Sequence, residues 1–200
     1  MPKSKTIIST VNDLEKRFLF VENETLKKNL AINLQYIIFL IQQEEENDLP
    51  GTITYSIYKN LILYTTSIIE GLLIHTFKEL LEKGKISPKS LKSIRNFKNI
   101  KEIYKIDSTS SIISGTLIKG HEKFTRRTSF HDVIKASKKA KIIDAKLLDK
   151  IDDLRQKRNK IHLAGLNIVD DYYSKKEVDD VFDLTQKFTI EVESLLNSDD

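Results

Sequence analysis

The sequence predicts an all-α protein, an antiparallel helical bundle that forms a single domain over residues 11–200 after a flexible tail over residues 1–10. Apolar residues recur at spacings of three and four through most of the chain, as on one face of a helix. A hydrophobic fraction of 40% is enough to bury a core, and 200 residues fit one domain. We therefore expect one helical unit.

Three helices are expected in the first part of the chain. The second is apolar nearly all round at its centre, which predicts a buried helix. Gly84 ends the third helix. The expected spans are Val11–Val21, Asn23 or Thr25 to about Glu46, and about Thr52 to Lys83.

The middle of the chain is less regular than its flanks. Apolar residues at a period of three predict a short helix over Ser90–Tyr104. Serine, threonine, glycine and β-branched isoleucines over residues 107–127 predict a small β-hairpin or an ordered loop. Capping residues predict the starts of three more helices. These are Ser129 for Phe130–Ala140, Asp144 for a helix ending near Lys160, and Ser174 with Glu177 for a last helix to about Leu196.

Charge is distributed unevenly behind a net value of +4. Lys83–Lys146 contains 17 lysines and arginines against five acids, whereas Ile168–Asp200 contains three against ten. A polyanion would be attracted to the middle of the chain and repelled by its end. The sequence favours a nucleic-acid partner and a merely solvated lysine surface about equally.

Several classes of protein and site are disfavoured. The chain has no cysteine, so a disulfide framework and a thiolate metal site are excluded. The first residues lack the apolar core of a signal peptide, and the longest uncharged run, Leu30–Gln43, is too short for a bilayer. None of the four histidines has a second histidine at i+3 or i+4. We expect a cytoplasmic protein with no membrane contact, no metal and no cofactor.

The stretch Lys146–Gly165 changes from apolar to cationic along one helix face. At about 100° per residue, Leu148 and Ile151 lie within about 40° of Arg155. One turn on, the same face carries Arg158, Asn159 and His162. Burying unpaired charge is expensive, so this face predicts a cleft or a subunit interface that meets an anion. In the structural alternative, both arginines pair with acids and His162 only ends the helix.

Glu70 is a single acid among isoleucines and leucines of the third predicted helix. A buried carboxylate is costly unless it is paired, and Arg158 or Arg155 is its expected partner. Gly71 beside it would let another helix approach closely. We expect Glu70 to orient an arginine rather than to act as a catalyst.

The segment Leu154–Leu163, LRQKRNKIHL, resembles the signature helix of the HEPN superfamily, a group of small all-α domains. That motif is an arginine, four to six residues and a histidine, often with an asparagine directly after an arginine. Arg155 and His162 fit this spacing, whereas Arg158-Asn159 stands one residue too close to His162. The principal arginine is therefore left open. The resemblance is strongest over Phe130–Leu196 and implies a HEPN-like bundle.

Arginines, an amide and an imidazole suit the cleavage of RNA, which carries its own nucleophile in the 2′-hydroxyl. The reaction needs a proton acceptor near neutral pH, which suits histidine, and cations on the phosphate, which suits arginine. Arg155 and His162 lie about 10 Å apart along a helix, too far to hold one phosphate together. Two copies of the chain would bring matched groups together across a twofold axis.

The HEPN resemblance implies the same arrangement. It implies a homodimer with a composite Arg/His site and metal-independent endoribonuclease activity, often as a toxin or antiviral defence effector. His162 would be the general acid/base, Arg158 and Arg155 would bind the phosphate, and Asn159 would orient the phosphate or the imidazole. A toxin of this kind would have a cognate antitoxin, such as a nucleotidyltransferase-like protein. Two alternatives stay open: a non-catalytic HEPN-like module that binds a nucleotide or a protein, and a plain helical interaction protein.

Overall fold

A computed structural model describes residues 8–91, 93–105, 111–125, 127–160 and 173–198, and within the strands it describes the backbone. The chain is mostly helical, as predicted. In chain order the elements are α1 (Val11–Glu15), a 3₁₀ turn (Lys16–Phe18), α2 (Glu24–Glu46), α3 (Gly51–Glu82), a 3₁₀ turn (Pro88–Ser90), β1 (Ser93–Lys105), β2 (Ser111–His121), α4 (Phe130–Ala140), α5 (Ala145–Lys160) and α6 (Lys175–Asn197).

Local capping interactions set the helix starts. The side chains of Asn23, Ser129 and Asp144 accept backbone N–H bonds at the starts of α2, α4 and α5. At α6, Ser174 and Glu177 form the reciprocal capping box that their spacing predicted. Each of these starts lies within about two residues of the prediction, because each depends on residues only a few positions apart.

The α2 and α3 helices form an antiparallel pair. Tyr58 donates a 2.7 Å hydrogen bond from its hydroxyl to Glu44 at one end of the pair. The Tyr36 and Tyr64 rings meet edge to face near the middle, with centroids 4.6 Å apart. At the other end Leu26 of α2 packs on Gly71 of α3. Helix α2 therefore lies against Gly71, but the contact leaves room for a Cβ and does not depend on glycine.

Replacing Gly71 by alanine is expected to stabilise the protein. A Cβ there would lie 3.4 Å from Leu26 Cδ1 and 3.7 Å from Leu30 Cδ2, which is ordinary van der Waals contact. Alanine in a helix interior is about 1 kcal/mol better than glycine, which corresponds to a rise in Tm of about 2–4 °C. Thermal unfolding followed by circular dichroism measures it. Gly71→Leu should lower Tm, and a lower Tm for Gly71→Ala would contradict the packing.

The last helix completes the bundle. On one side, Lys175 at the start of α6 pairs with Glu44 near the end of α2 at 3.4 Å. On the other side, Glu191 accepts from the Asp144 backbone N–H at the start of α5. The core lies between α2, α3, α4, α5 and α6. Its largest fully buried side chains include Phe77, Phe188, Ile62, Ile69, Leu72, Leu73, Ile134, Leu148 and Ile151.

The short helix predicted over Ser90–Tyr104 is wrong. Ser93–Lys105 is strand β1, which pairs antiparallel with β2 from Ser93 opposite His121 to Lys105 opposite Ser111. All of β2 lies in the range where a hairpin or loop was expected, but the hairpin begins earlier than predicted. Two register shifts, between Lys98 and Lys101 and between Glu102 and Tyr104, interrupt the pairing. Such irregularities hide the two-residue alternation of a strand, and the apolar spacing of three then mimics a helix.

The beginning of the chain also differs from the prediction in part. The helix predicted over Val11–Val21 is divided into α1 and a tighter 3₁₀ turn. Of the predicted tail, residues 1–7 lie outside the described residues. Ser9 accepts a 2.9 Å hydrogen bond from Gln35 through its carbonyl, and Thr10 caps α1.

Helix α3 is long enough and apolar enough to cross a membrane. Of its most apolar 18 residues, 56% are buried within the fold. Buried core helices meet the same two criteria, so one such helix among the described residues is weak evidence for a membrane span.

Candidate functional site

The predicted site residues divide between two helices and a part of the chain outside the described residues. Arg155, Arg158 and Asn159 occupy the last two turns of α5, and Glu70 lies in the middle of α3. His162 lies outside the described residues. The structure therefore tests how the two arginines are held, and the position of the histidine stays a prediction.

Glu70 and Arg158 form the ion pair that the sequence predicted. The Arg158 guanidinium donates from Nη1 to Oε2 of Glu70, and their side chains are 25% and 27% exposed. The guanidinium carbon lies 6.0 Å from the centre of the Phe130 ring at the start of α4. Arg158 is thus held between α3 and α4. A second amino group, Nη2, contacts the Asn159 side-chain oxygen at 3.5 Å, and Asn159 itself is exposed.

Arg155 is held by Asp152, one turn earlier on α5. Its Nε donates to Asp152 Oδ1 at 2.7 Å, and the two side chains are 15% and 20% exposed. The same oxygen lies 3.3 Å from Nδ1 of His131 on α4, and Gln156 donates to Oδ2 at 3.1 Å. The Arg155 hydrogen bond, helped by those from His131 and Gln156, lowers the pKa of Asp152 to about 2 against the opposing effect of burial.

The lowered pKa of Asp152 predicts a component of stability that depends on pH. Its carboxylate stabilises the fold fully above its unfolded pKa of about 3.8, and this contribution is lost as the pH falls toward the folded value of about 2. The loss in unfolding free energy caused by Asp152→Asn should therefore shrink between pH 5 and pH 2. Urea unfolding across this range measures it, with Asp153→Asn, exposed on the same helix, as control. A loss that stays constant with pH would contradict the shift.

On its other side α5 is tied to α6. Lys157 pairs with Glu177 and lies 5.8 Å from the centre of the Tyr173 ring. Burial alone would raise the pKa of Glu177, but the Lys157 ammonium and donors of Ser174 lower it below its ordinary value. Arg155, Lys157 and Arg158 are therefore each matched by a carboxylate of the same chain. The paired arrangement, which the sequence had left open, is present for Arg155 and Arg158.

No family model, no curated protein and no solved structure matches this chain. The candidate site is therefore interpreted from its own geometry and from the motif in its sequence. Among the described residues, no group of three or more histidines, aspartates or glutamates stands ready to hold a metal ion. What this region contains is guanidinium, amide and imidazole groups.

His131 and Asp152 are site residues that sequence reasoning missed. Asp152 had a local signal, because an acid three positions before an arginine on a helix predicts an ion pair. His131 had none, since 21 residues and a helix–helix connection separate it from Asp152. Only the packing of α4 against α5 brings this imidazole beside Arg155. An Asp–His pair beside an arginine resembles the groups that phosphate chemistry uses.

Proposed function

We propose that this chain is a cytoplasmic, metal-independent endoribonuclease of the HEPN type, acting as a homodimer with a composite Arg/His site. The observation that carries the proposal is the fixed arrangement of Arg158 and Arg155 at the end of α5, next to the motif histidine in the sequence. Each guanidinium is anchored by one carboxylate and keeps part of its surface exposed. A guanidinium has five N–H donors, so an anchored arginine retains donors for phosphate.

Anchoring favours catalysis because a charge that is already held in place needs little rearrangement when the transition state forms. A mobile charge must first be ordered, which costs free energy. Glu70 and the Phe130 ring restrain Arg158, and Asp152 restrains Arg155. In the proposed mechanism these two arginines bind the scissile phosphate and stabilise its developing charge. Asn159, exposed beside Arg158, orients the phosphate or the imidazole.

The proposed proton transfer belongs to His162, and the homodimer follows from distance. On an ideal helix, the spacing of Arg155 and His162 in the sequence would separate them by about 10 Å, too far for one copy to place both on one phosphate. A second copy supplies the matching group across the twofold axis. The strand residues Arg95, Lys98 and Lys101 belong to the basic middle of the chain, which guides RNA to the site by charge. As a toxin or defence effector, the chain would be restrained by an antitoxin, such as a nucleotidyltransferase-like protein.

The test is the degradation of a labelled single-stranded RNA by the purified chain in excess EDTA. A DNA strand of the same sequence is the matched substrate control, because it lacks the 2′-hydroxyl nucleophile. The proposal expects cleavage of the RNA to products that end in a 2′,3′-cyclic phosphate, and an intact DNA strand. An intact RNA, or equal cleavage of both strands, would overturn it.

The second candidate is a non-catalytic HEPN-like module that binds a nucleotide or a protein. The observation that favours it is that Arg155 and Arg158 both pair with acids of their own chain, which lowers the positive potential of the face. Nucleotide binding measured by calorimetry, together with an RNA that stays intact, would select this module. Neither binding nor cleavage, with Arg158→Ala as damaging to folding as a core truncation, would leave a plain helical interaction protein.

A further inference from the structure

His131 is a partly exposed imidazole that the proposed mechanism has not used. It stands one residue after Phe130 at the start of α4, and its side chain is 38% exposed. Its Nδ1 lies 3.3 Å from Oδ1 of Asp152, within hydrogen-bond distance. Part of its ring is therefore accessible to a ligand.

The contact with Asp152 determines which ring nitrogen of His131 carries the proton. A carboxylate accepts hydrogen bonds, so a neutral His131 carries its proton on Nδ1 and leaves a lone pair on Nε2. This is the arrangement in which a carboxylate orients a histidine that serves as a general base. Nε2 lies on the ring edge opposite the carboxylate.

His131 is also close to Arg155. Oδ1 of Asp152 accepts from Arg155 Nε at 2.7 Å and lies beside His131 Nδ1, so one oxygen holds the guanidinium and the imidazole together. The preceding residue, Phe130, packs under the Arg158 guanidinium. A single copy of the chain therefore places an oriented imidazole beside Arg155, and the residue before this histidine beside Arg158.

We propose that His131, oriented by Asp152, is a second catalytic histidine of this site, an inference that rests on the proposed ribonuclease function. Nε2 of His131 takes the proton from the 2′-hydroxyl of RNA as that oxygen forms a bond to the adjacent phosphorus. The bond from phosphorus to the 5′-oxygen breaks, and this oxygen takes a proton from His162 or from water. The products are a 2′,3′-cyclic phosphate and a 5′-hydroxyl end, and no further reactant is consumed.

The test compares RNA cleavage in EDTA by the wild type, His131→Ala and His131→Gln, with His121→Ala as the matched control on β2. Removing a general base is expected to lower kcat by about 100-fold or more. The control should cleave like the wild type. Asp152 is a positioning residue, so Asp152→Asn should lower kcat with little change in KM, whereas a merely structural contact would leave kcat unchanged. Thermal unfolding of each variant separates loss of fold from loss of chemistry.

A second measurement keeps the two proposals distinguishable. The imidazole resonances of the wild-type chain are followed by NMR while cytidine 3′-monophosphate is added. If the wild type cleaves RNA and both His131 variants cleave equally well, the role of His131 is overturned and the ribonuclease proposal stands. If the wild type does not cleave, the ribonuclease proposal is overturned. In that case the catalytic role of His131 falls with it, and a shift confined to the His131 ring would support only a phosphate site there.

Discussion

Replacing His162 by alanine is expected to lower RNA cleavage in EDTA by about 100- to 10,000-fold. This is the range that a positioned general acid or base contributes to a reaction. The expectation rests on the spacing of Arg155 and His162 in the motif and on the absence of metal-ligand spacing among the histidines. Single-turnover cleavage of a labelled RNA at saturating enzyme measures the chemical step separately from binding.

The control for this variant is His121→Ala, which removes an imidazole from another element, strand β2. It should retain wild-type activity. The wild type and His162→Ala should bind an uncleavable 2′-deoxy strand with similar affinity, because the imidazole contributes to proton transfer rather than to charge. Equal cleavage rates for the wild type and His162→Ala would remove His162 from the mechanism.

Replacing Arg158 by alanine is expected to change both stability and activity, and a second substitution separates the two effects. Loss of the guanidinium leaves the Glu70 carboxylate, 27% exposed, without its cation, which costs about 1–3 kcal/mol. It also removes a donor from the scissile phosphate, which costs about 100- to 1,000-fold in kcat. Urea unfolding and single-turnover cleavage measure the two losses on the same sample.

The double variant Arg158→Ala with Glu70→Gln decides what Arg158 does. Neutralising Glu70 removes the unpaired charge, so stability should recover in part while cleavage stays low. Recovery of cleavage together with stability would make Arg158 a structural residue only. Arg17→Ala is the matched control, because Arg17 is exposed and lies on the 3₁₀ turn after α1. It should change neither measurement.

The parts of the fold that could be predicted depend on local signals. Asn23, Ser129 and Ser174 each cap a helix through a backbone group within three residues, so sequence spacing alone locates the starts. The ion pair of Glu70 was predictable for a different reason. A half-buried carboxylate needs a cation, and the motif helix contains two arginines, Arg155 and Arg158. Which of them it takes depends on the angle between α3 and α5.

The parts that could not be predicted depend on contacts between distant residues. The pairing of β1 with β2 includes two irregularities, and neither leaves a periodic signal in the sequence. Strand preference is set largely by cross-strand partners rather than by the local chain, so residues 93–105 resembled a helix. His131 was missed for the same reason, since its partner Asp152 belongs to the next helix.

By itself the sequence determined a mostly helical chain, most of its helix boundaries and a cationic end to α5, because caps, periodicity and spacing act within one or two turns. Only the tertiary structure decided that Glu70 takes Arg158 as its partner, and that His131 joins the Asp152–Arg155 pair. Helix packing determines these partners. The free energy of a half-buried charge depends on which groups the neighbouring helices place within hydrogen-bond distance of it.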